Sequence, residues 1–201
     1  MKKILIVQRY ERIGTFNELR DNLDNRLSNY IFKLGYLPIL IPTNIKVTSF
    51  LKEIKPDGIL LSGGGDPQKK SLRRSLEIHL LKFSLKRKLP VLGICRGAQQ
   101  MNLFCKGKIQ KVENHIRKKH RIFGEIVKKK IYVNSYHAYG IKKKILGSGL
   151  EILAYSKDEV VECFVNKKNN WMGIMWHPER ENNISKLDKK IINNCFKKNL
   201  N

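Results

Sequence analysis

Apolar residues fall along this chain in two alternating patterns. Continuous apolar runs occupy residues 4–7, 37–41, 58–61 and 90–94. Runs this short and this apolar predict strands buried on both faces. Between them the apolar positions recur every three or four residues: Leu19, Leu23, Leu27, Ile31 and Leu34, then Val47, Phe50, Leu51 and Ile54, then Leu72, Leu76, Leu80 and Phe83. That period predicts helices with one buried stripe. Thr15 and Glu18 have the spacing of a capping box, which predicts that the first helix starts there, and Gly35 supplies its end. His79, beside the third stripe, reads as a partly buried packing histidine. Strand and helix in alternation predict a parallel sheet covered on both faces.

The second half changes character. Residues 121–127, 130–134, 151–155, 159–165 and 171–176 predict strands with short connections. Residues 184–198 predict a closing helix with Ile184, Leu187, Ile191 and Cys195 on one side. A chain of 201 residues is long enough to bury roughly 70% of its unfolded surface. No repeat or Pro/Gly/Ser-rich linker divides it, so residues 1–201 read as one domain. No apolar run reaches the ~18 residues of a membrane span. The N-terminal run stops at Gln8 and Arg9, short of the ~7–15 residue core of a signal peptide. It therefore reads as the first buried strand of a cytoplasmic protein.

Charge narrows the partners. With 41 Lys and Arg against 17 Asp and Glu, the formal net charge is +24. The densest clusters, residues 117–121, 128–130 and 142–144, lack interleaved aromatics and match no nucleic-acid-binding motif. They read as solvated surface, and nucleic acid is not expected as a partner. A small anionic substrate is compatible with the charge. The cations expected near the carboxyl ends of the strands, where open α/β sheets bind ligands, are Arg9, Arg12, Lys69, Lys70 and Arg180. The cysteines, Cys95, Cys105, Cys163 and Cys195, form no C-x-x-C pair and predict neither a disulfide framework nor a zinc site.

Four segments carry candidate chemistry. Gly93-Ile94-Cys95-Arg96-Gly97 follows a strand and opens a helix. A tight turn there lifts a nucleophile above the sheet edge, and the helix N-terminus favours a thiolate. A buried structural thiol is the alternative, and the paired glycines argue against it. Met175-Trp176-His177-Pro178-Glu179 also follows an apolar strand. It offers His177 as the base that a cysteine nucleophile needs and Glu179 as the group that orients that base. Ser62-Gly63-Gly64-Gly65-Asp66 lacks the lysine and hydroxyl of a phosphate loop. It reads as a plain turn or as a loop whose amide, with that of Arg96, holds an oxyanion. Asn134-Ser135-Tyr136-His137-Ala138-Tyr139-Gly140 ends a strand with polar and aromatic groups clustered together.

In this order the four segments resemble the class I glutamine amidotransferase-like superfamily, and the resemblance covers nearly the whole chain. It implies a three-layer αβα sandwich around a mostly parallel sheet, with Cys95, His177 and Glu179 as the catalytic triad. It implies oxyanion amides at Gly64 and Arg96, with the choice among residues 63–65 open by one. It implies Gly65, Gln99, Ser135, Tyr136, His137 and Tyr139 around the glutamyl group. Trp176 before the histidine, Arg180 after the glutamate, residues 134–137 and residues 35–42 resemble the γ-glutamyl hydrolase branch more than the glutaminase subunits. The Gly-Gly-Thr-Leu common in that branch is not evident after Cys105. The resemblance implies hydrolysis through a cysteinyl thioester, with no metal, no organic cofactor and no obligatory protein partner.

Overall fold

The computed structural model describes residues 1–15 and 17–197. The first half contains β1 (Lys3–Val7), β2 (Arg9–Ile13), β3 (Glu18–Asn22), α1 (Asn25–Lys33), β4 (Leu37–Ile41), α2 (Val47–Ile54), β5 (Gly58–Leu61), α3 (Leu72–Arg87), β6 (Val91–Ile94) and α4 (Arg96–Phe104). The second half contains β7 (Gln110–Lys111), β8 (Ile116–Phe123), β9 (Ile131–Tyr136), β10 (Tyr139–Gly140), β11 (Glu151–Ser156), β12 (Val161–Asn166), β13 (Trp171–Ile174) and α5 (Lys186–Lys197). Nine strands form one mixed sheet in the order β4-β1-β5-β6-β13-β12-β11-β8-β9. Strands β4 to β13 of that order pair in parallel, and the remaining strands continue it antiparallel.

The apolar runs are continuous because both faces of the parallel half are covered. Side chains alternate across the sheet. Ile4, Ile6, Leu60, Leu92 and Ile94 pack with Leu27 and Ile31 of α1 and Ile191 and Ile192 of α5. Leu5, Val7, Ile59, Leu61 and Val91 pack with Leu51 of α2, Leu76 and Leu80 of α3, and Ala98 and Met101 of α4. These two clusters make the three-layer αβα sandwich. Among the described residues, no helix is long and apolar enough to cross a membrane.

The structure corrects the sequence reading at several places. No helix starts at Thr15 and Glu18; Arg9–Ile13 and Glu18–Asn22 pair as the β2–β3 hairpin instead. Its turn uses left-handed backbone at Gly14 and Asn17, residue types that tolerate it. Helix α1 starts ten residues later, where the Asp24 side chain accepts from the Arg26 amide at 3.1 Å. Leu19 is therefore exposed on β3, and of that stripe Leu27 and Ile31 are the fully buried members. Gly35 does follow the helix end, at φ +88°. His79 lies on the exposed face of α3 and not in its packing stripe. The strand read at 121–127 is β8, which begins at Ile116 and ends at Phe123. Its first residues are charged and mostly exposed, so apolar run length underestimates it. The last strand ends at Ile174, and the closing helix begins at Lys186. Residue 198, read as its last, lies outside the described residues.

Candidate active site

Cys95 sits between β6 and α4 with φ 51° and ψ −105°, a conformation costly for a residue with a side chain. The turn is held from both sides. The Cys95 amide donates to the Ile174 carbonyl at 2.7 Å, and its carbonyl accepts from the Gln99 amide at 3.0 Å. A Cβ on Gly93 would stand 2.7 Å from the Ala98 nitrogen, and one on Gly97 would run into the Leu61 carbonyl. The two glycines thus let the helix close on the sheet edge with the sulfur at its N-terminus.

His177 follows β13, the parallel neighbour of β6, so the two strands deliver thiol and imidazole side by side. Glu179 Oε1 lies 2.7 Å from His177 Nδ1, which points the other ring nitrogen toward Cys95. Gly63 closes the third side; a Cβ there would stand 2.6 Å from His177 Cε1 and 3.6 Å from Cys95 Cβ. Asn134 of β9 locks the histidine backbone. Its Nδ2 donates to the His177 carbonyl and its Oδ1 accepts from the His177 amide, each at 2.8 Å. Burial alone would push the imidazole down. The charge and hydrogen bond of Cys95, then those of Glu179, outweigh it and raise His177 to about 9. A buried imidazolium beside the Cys95 sulfur is the form this geometry favours. The other cysteines have no such partner: burial raises Cys105 to about 11 and pushes Cys163 and Cys195 higher still.

A cavity of about 470 Å³ opens over Cys95 and His177, lined also by Gly64, Gly65, Arg96, Gln99, Tyr136, His137 and Tyr139. Other hollows are larger, about 660 Å³ beside α2 and α3 and about 950 Å³ beside β8. Neither is lined by Cys95, so the smaller cavity is the candidate site. Gln99 Nε2 donates to the Tyr139 carbonyl at 2.6 Å, tying α4 to the cavity wall. Ser135 is the expected residue that the fold keeps away. It is fully buried, and its hydroxyl donates to the His115 carbonyl at 2.6 Å. It points to the opposite face of β9 from Tyr136, as strand alternation requires. Of the expected cations, Arg9 and Arg180 line the cavity. Arg12 donates instead to the Asn17 carbonyl in the hairpin, and Lys69 and Lys70 are exposed outside the cavity.

Two groups escaped the sequence reading. Arg117 lines the cavity with Arg9 and Arg180, although its cluster read as solvated surface. Beneath the glycine loop, Arg73 and Glu77 of α3 form a buried charge network. Arg73 donates to the carbonyls of Ser62, Gly63 and Gly64 at 2.6, 3.2 and 2.8 Å. Glu77 accepts from Arg73 at 3.0 Å and, through both carboxylate oxygens, from Arg96 Nη1, at 2.5 Å for Oε2 and more closely for Oε1. The Arg96 side chain is thus held inward, which leaves its backbone at the helix N-terminus beside the sulfur. The available signal was two charges four residues apart beside an apolar stripe.

The glutamine amidotransferase class-I family model matches residues 18–199. The γ-glutamyl-CDP-amidate hydrolase of Campylobacter jejuni is 35% identical over 191 residues, covering 90% of this chain and 92% of that one. The γ-glutamyl-γ-aminobutyrate hydrolase of Escherichia coli is 26% identical over 200 residues, covering 78% of each. The crystal structure of a GMP synthase-type protein from Thermoplasma acidophilum superposes with a TM-score of 0.73. It is 23% identical, and the match covers 98% of this chain and 94% of that one.

Proposed function

We propose, from the premise that the chain belongs to the class-I glutamine amidotransferase family and is an enzyme hydrolysing γ-glutamyl amides, that its substrate carries a phosphate-bearing leaving group, with γ-glutamyl-CDP-amidate the leading candidate. The observation that carries this reading is the placement of Arg9, Arg117 and Arg180 on the rim of the Cys95 cavity. Guanidinium forks grip phosphate oxygens in pairs, and the +24 charge attracts an anion from a distance. The likeness to the C. jejuni hydrolase supports the same substrate. The products are then L-glutamate and cytidine diphosphoramidate, in a cytoplasmic step of capsular polysaccharide phosphoramidate biosynthesis.

In the proposed reaction the Cys95 thiolate attacks the γ-carbonyl, and the oxyanion is held by the amides of Gly64 and Arg96. Protonated His177 gives its proton to the departing nitrogen, and the C–N bond breaks to leave a γ-glutamyl thioester. Neutral His177 then takes a proton from water, which attacks the thioester and expels Cys95 as thiolate. Glutamate leaves and the ion pair is restored. Glu179 keeps the ring in register and stabilises its cation. Gln99 and the backbone of Tyr136, His137 and Tyr139 face the glutamyl end. The chemistry requires no cofactor.

The family likeness also favours a second reading, a glutaminase subunit that passes ammonia to a separate synthetase. Glutamate release from γ-glutamyl-CDP-amidate, γ-glutamyl-γ-aminobutyrate and free glutamine separates the two. The proposal expects the highest kcat/KM on the first substrate with the isolated chain. Efficient turnover of glutamine, dependent on an added partner, would replace it with the second reading.

A further inference from the structure

Behind the cavity wall lies a cluster of side chains that the proposed reaction does not use. Glu162 of β12 is fully buried, and neither of its carboxylate oxygens has a hydrogen-bond partner. Three imidazoles converge on its Oε1: His120 Nε2 at 3.0 Å, His115 Nδ1 at 3.5 Å and His137 Nε2 at 3.8 Å. Buried polar atoms are almost always satisfied, so a carboxylate left bare among three rings needs an explanation.

The outer nitrogens decide what the inner ones present. His137 Nδ1 lies 3.0 Å from the Tyr139 carbonyl, an acceptor, so that nitrogen carries the hydrogen. His115 Nε2 faces both Asp158 oxygens at 3.3 Å and carries its hydrogen too. The inner nitrogen of His137, Nε2, is then a lone pair aimed at a carboxylate that also has only lone pairs to offer, while His115 Nδ1 faces that carboxylate at 3.5 Å and the Ser135 hydroxyl at 3.4 Å. His120 Nε2 and His137 Nε2 have no hydrogen-bond partner. Acceptors facing acceptors are repulsive unless a cation stands between them.

We propose that His115, His120 and Glu162 bind a divalent metal ion of the zinc class, with His137 facing the same point from the cavity side. The candidate ligand atoms of the first three lie within 4.8 Å of one another. Tetrahedral zinc with bonds of about 2.0–2.1 Å separates its ligand atoms by roughly 3.3 Å, which the two N···O distances of 3.0 and 3.5 Å match, and binding would draw the wider members of the set together. Imidazole nitrogens with one carboxylate suit zinc better than calcium or magnesium, which take oxygen. The outer bonds of His115 to Asp158 and of His137 to Tyr139 are the supporting contacts that such a site uses to fix its tautomers. The open hollow beside β8, lined by His115, His120 and Asp158, gives the ion its entry path. Bound there, the ion joins β8, β12 and the turn before β10, and so braces the wall that carries Tyr139 against Gln99. It takes no part in acyl transfer.

The test reads binding and stability, not turnover. The full chain, tag-free and with Cys95→Ala to remove the other strong ligand, is treated with chelator and titrated with Zn²⁺ against a chromophoric competitor. Co²⁺ is titrated in parallel and followed by its visible spectrum. The expected result is one equivalent bound, tetrahedral cobalt bands and a rise in Tm with metal. All three should disappear in His120→Ala. Asp158→Asn, a change at a partly exposed group that spares the core, should weaken binding by about 10–100-fold. Absence of stoichiometric binding overturns the proposal. So does an affinity that neither substitution changes.

Discussion

At the scale of single residues, the proposed reactive pair is the Cys95 sulfur and the His177 ring. Cys95→Ala is expected to abolish glutamate release while leaving the circular dichroism spectrum near wild type, since the side chain lost is small and faces the cavity. Cys105→Ala, Cys163→Ala and Cys195→Ala should keep activity, because burial holds those thiols protonated. Retained turnover in Cys95→Ala would refute the assignment of the nucleophile. His177→Asn should cost about 10²–10⁴ in kcat, and Glu179→Gln less, because the carboxylate only orients and stabilises the ring. The raised His177 value sets the pH profile. A proton donor with a pKa of about 9 stays charged through neutrality, so kcat/KM should hold across pH 7–8 and fall as pH rises through about 9. Glu179→Gln removes part of the raise and should move that limb to lower pH. The same raise makes the protonated His177 ring a stabilising group in the fold. Its contribution is complete below the ordinary histidine value of about 6.5 and is lost as pH climbs through about 9. A limb that does not move in Glu179→Gln would disprove the role given to that carboxylate.

At the scale of elements, helix α3 supports the site from below without lining it. Glu77 stands between two buried guanidinium groups, one gripping the glycine loop and the other attached to the residue after the nucleophile. Glu77→Gln keeps the shape but leaves two buried cations without a countercharge. Breaking such a network from one side costs about 3–5 kcal/mol. The expected outcome is a clear loss of Tm together with a fall in kcat, since both the Ser62–Gly64 loop and the start of α4 lose their tether. Chemical denaturation with kinetics on the folded fraction checks this, and unchanged stability would show that the network carries no net structural load. Gly97→Ala attacks the same junction from the sheet side, because its Cβ has no space against Leu61. It should separate α4 from β5 and inactivate the enzyme even with Cys95 in place.

At the scale of the whole molecule, the +24 charge gives a prediction that local geometry cannot. Attraction of an anionic substrate should weaken with ionic strength, because the Debye length shrinks from about 10 Å at 0.1 M to about 3 Å at 1 M. KM for the CDP-amide should therefore rise with salt while that for γ-glutamyl-γ-aminobutyrate rises less, and Arg117→Ala should reproduce the difference at low salt. Equal salt dependence would return the enzyme to the general γ-glutamyl amide hydrolases. Much of this molecule follows from its sequence alone. Order and type of the elements in residues 25–104 followed because buried strands and one-sided helices imprint their own periods on neighbouring residues, although the first helix is shorter than its apolar stripe suggested. The elbow at Cys95 and the pair His177 and Glu179 were legible because each is local, a few residues wide and tied to a strand end. Tertiary structure decided the rest. The polar β2–β3 hairpin and the charged start of β8 carry no apolar period, so nothing local marks them as strands. Ser135 and Tyr136 are neighbours in sequence but lie on opposite faces of β9, which only the pairing of that strand could assign. Arg117 reaches the cavity because β8 lies beside β9. Glu77 meets Arg96, and His115, His120 and His137 meet Glu162, across separations of 19 to 47 residues. Chemistry written within one turn of chain can be read before folding; chemistry assembled between distant strands exists only once the sheet has brought them together.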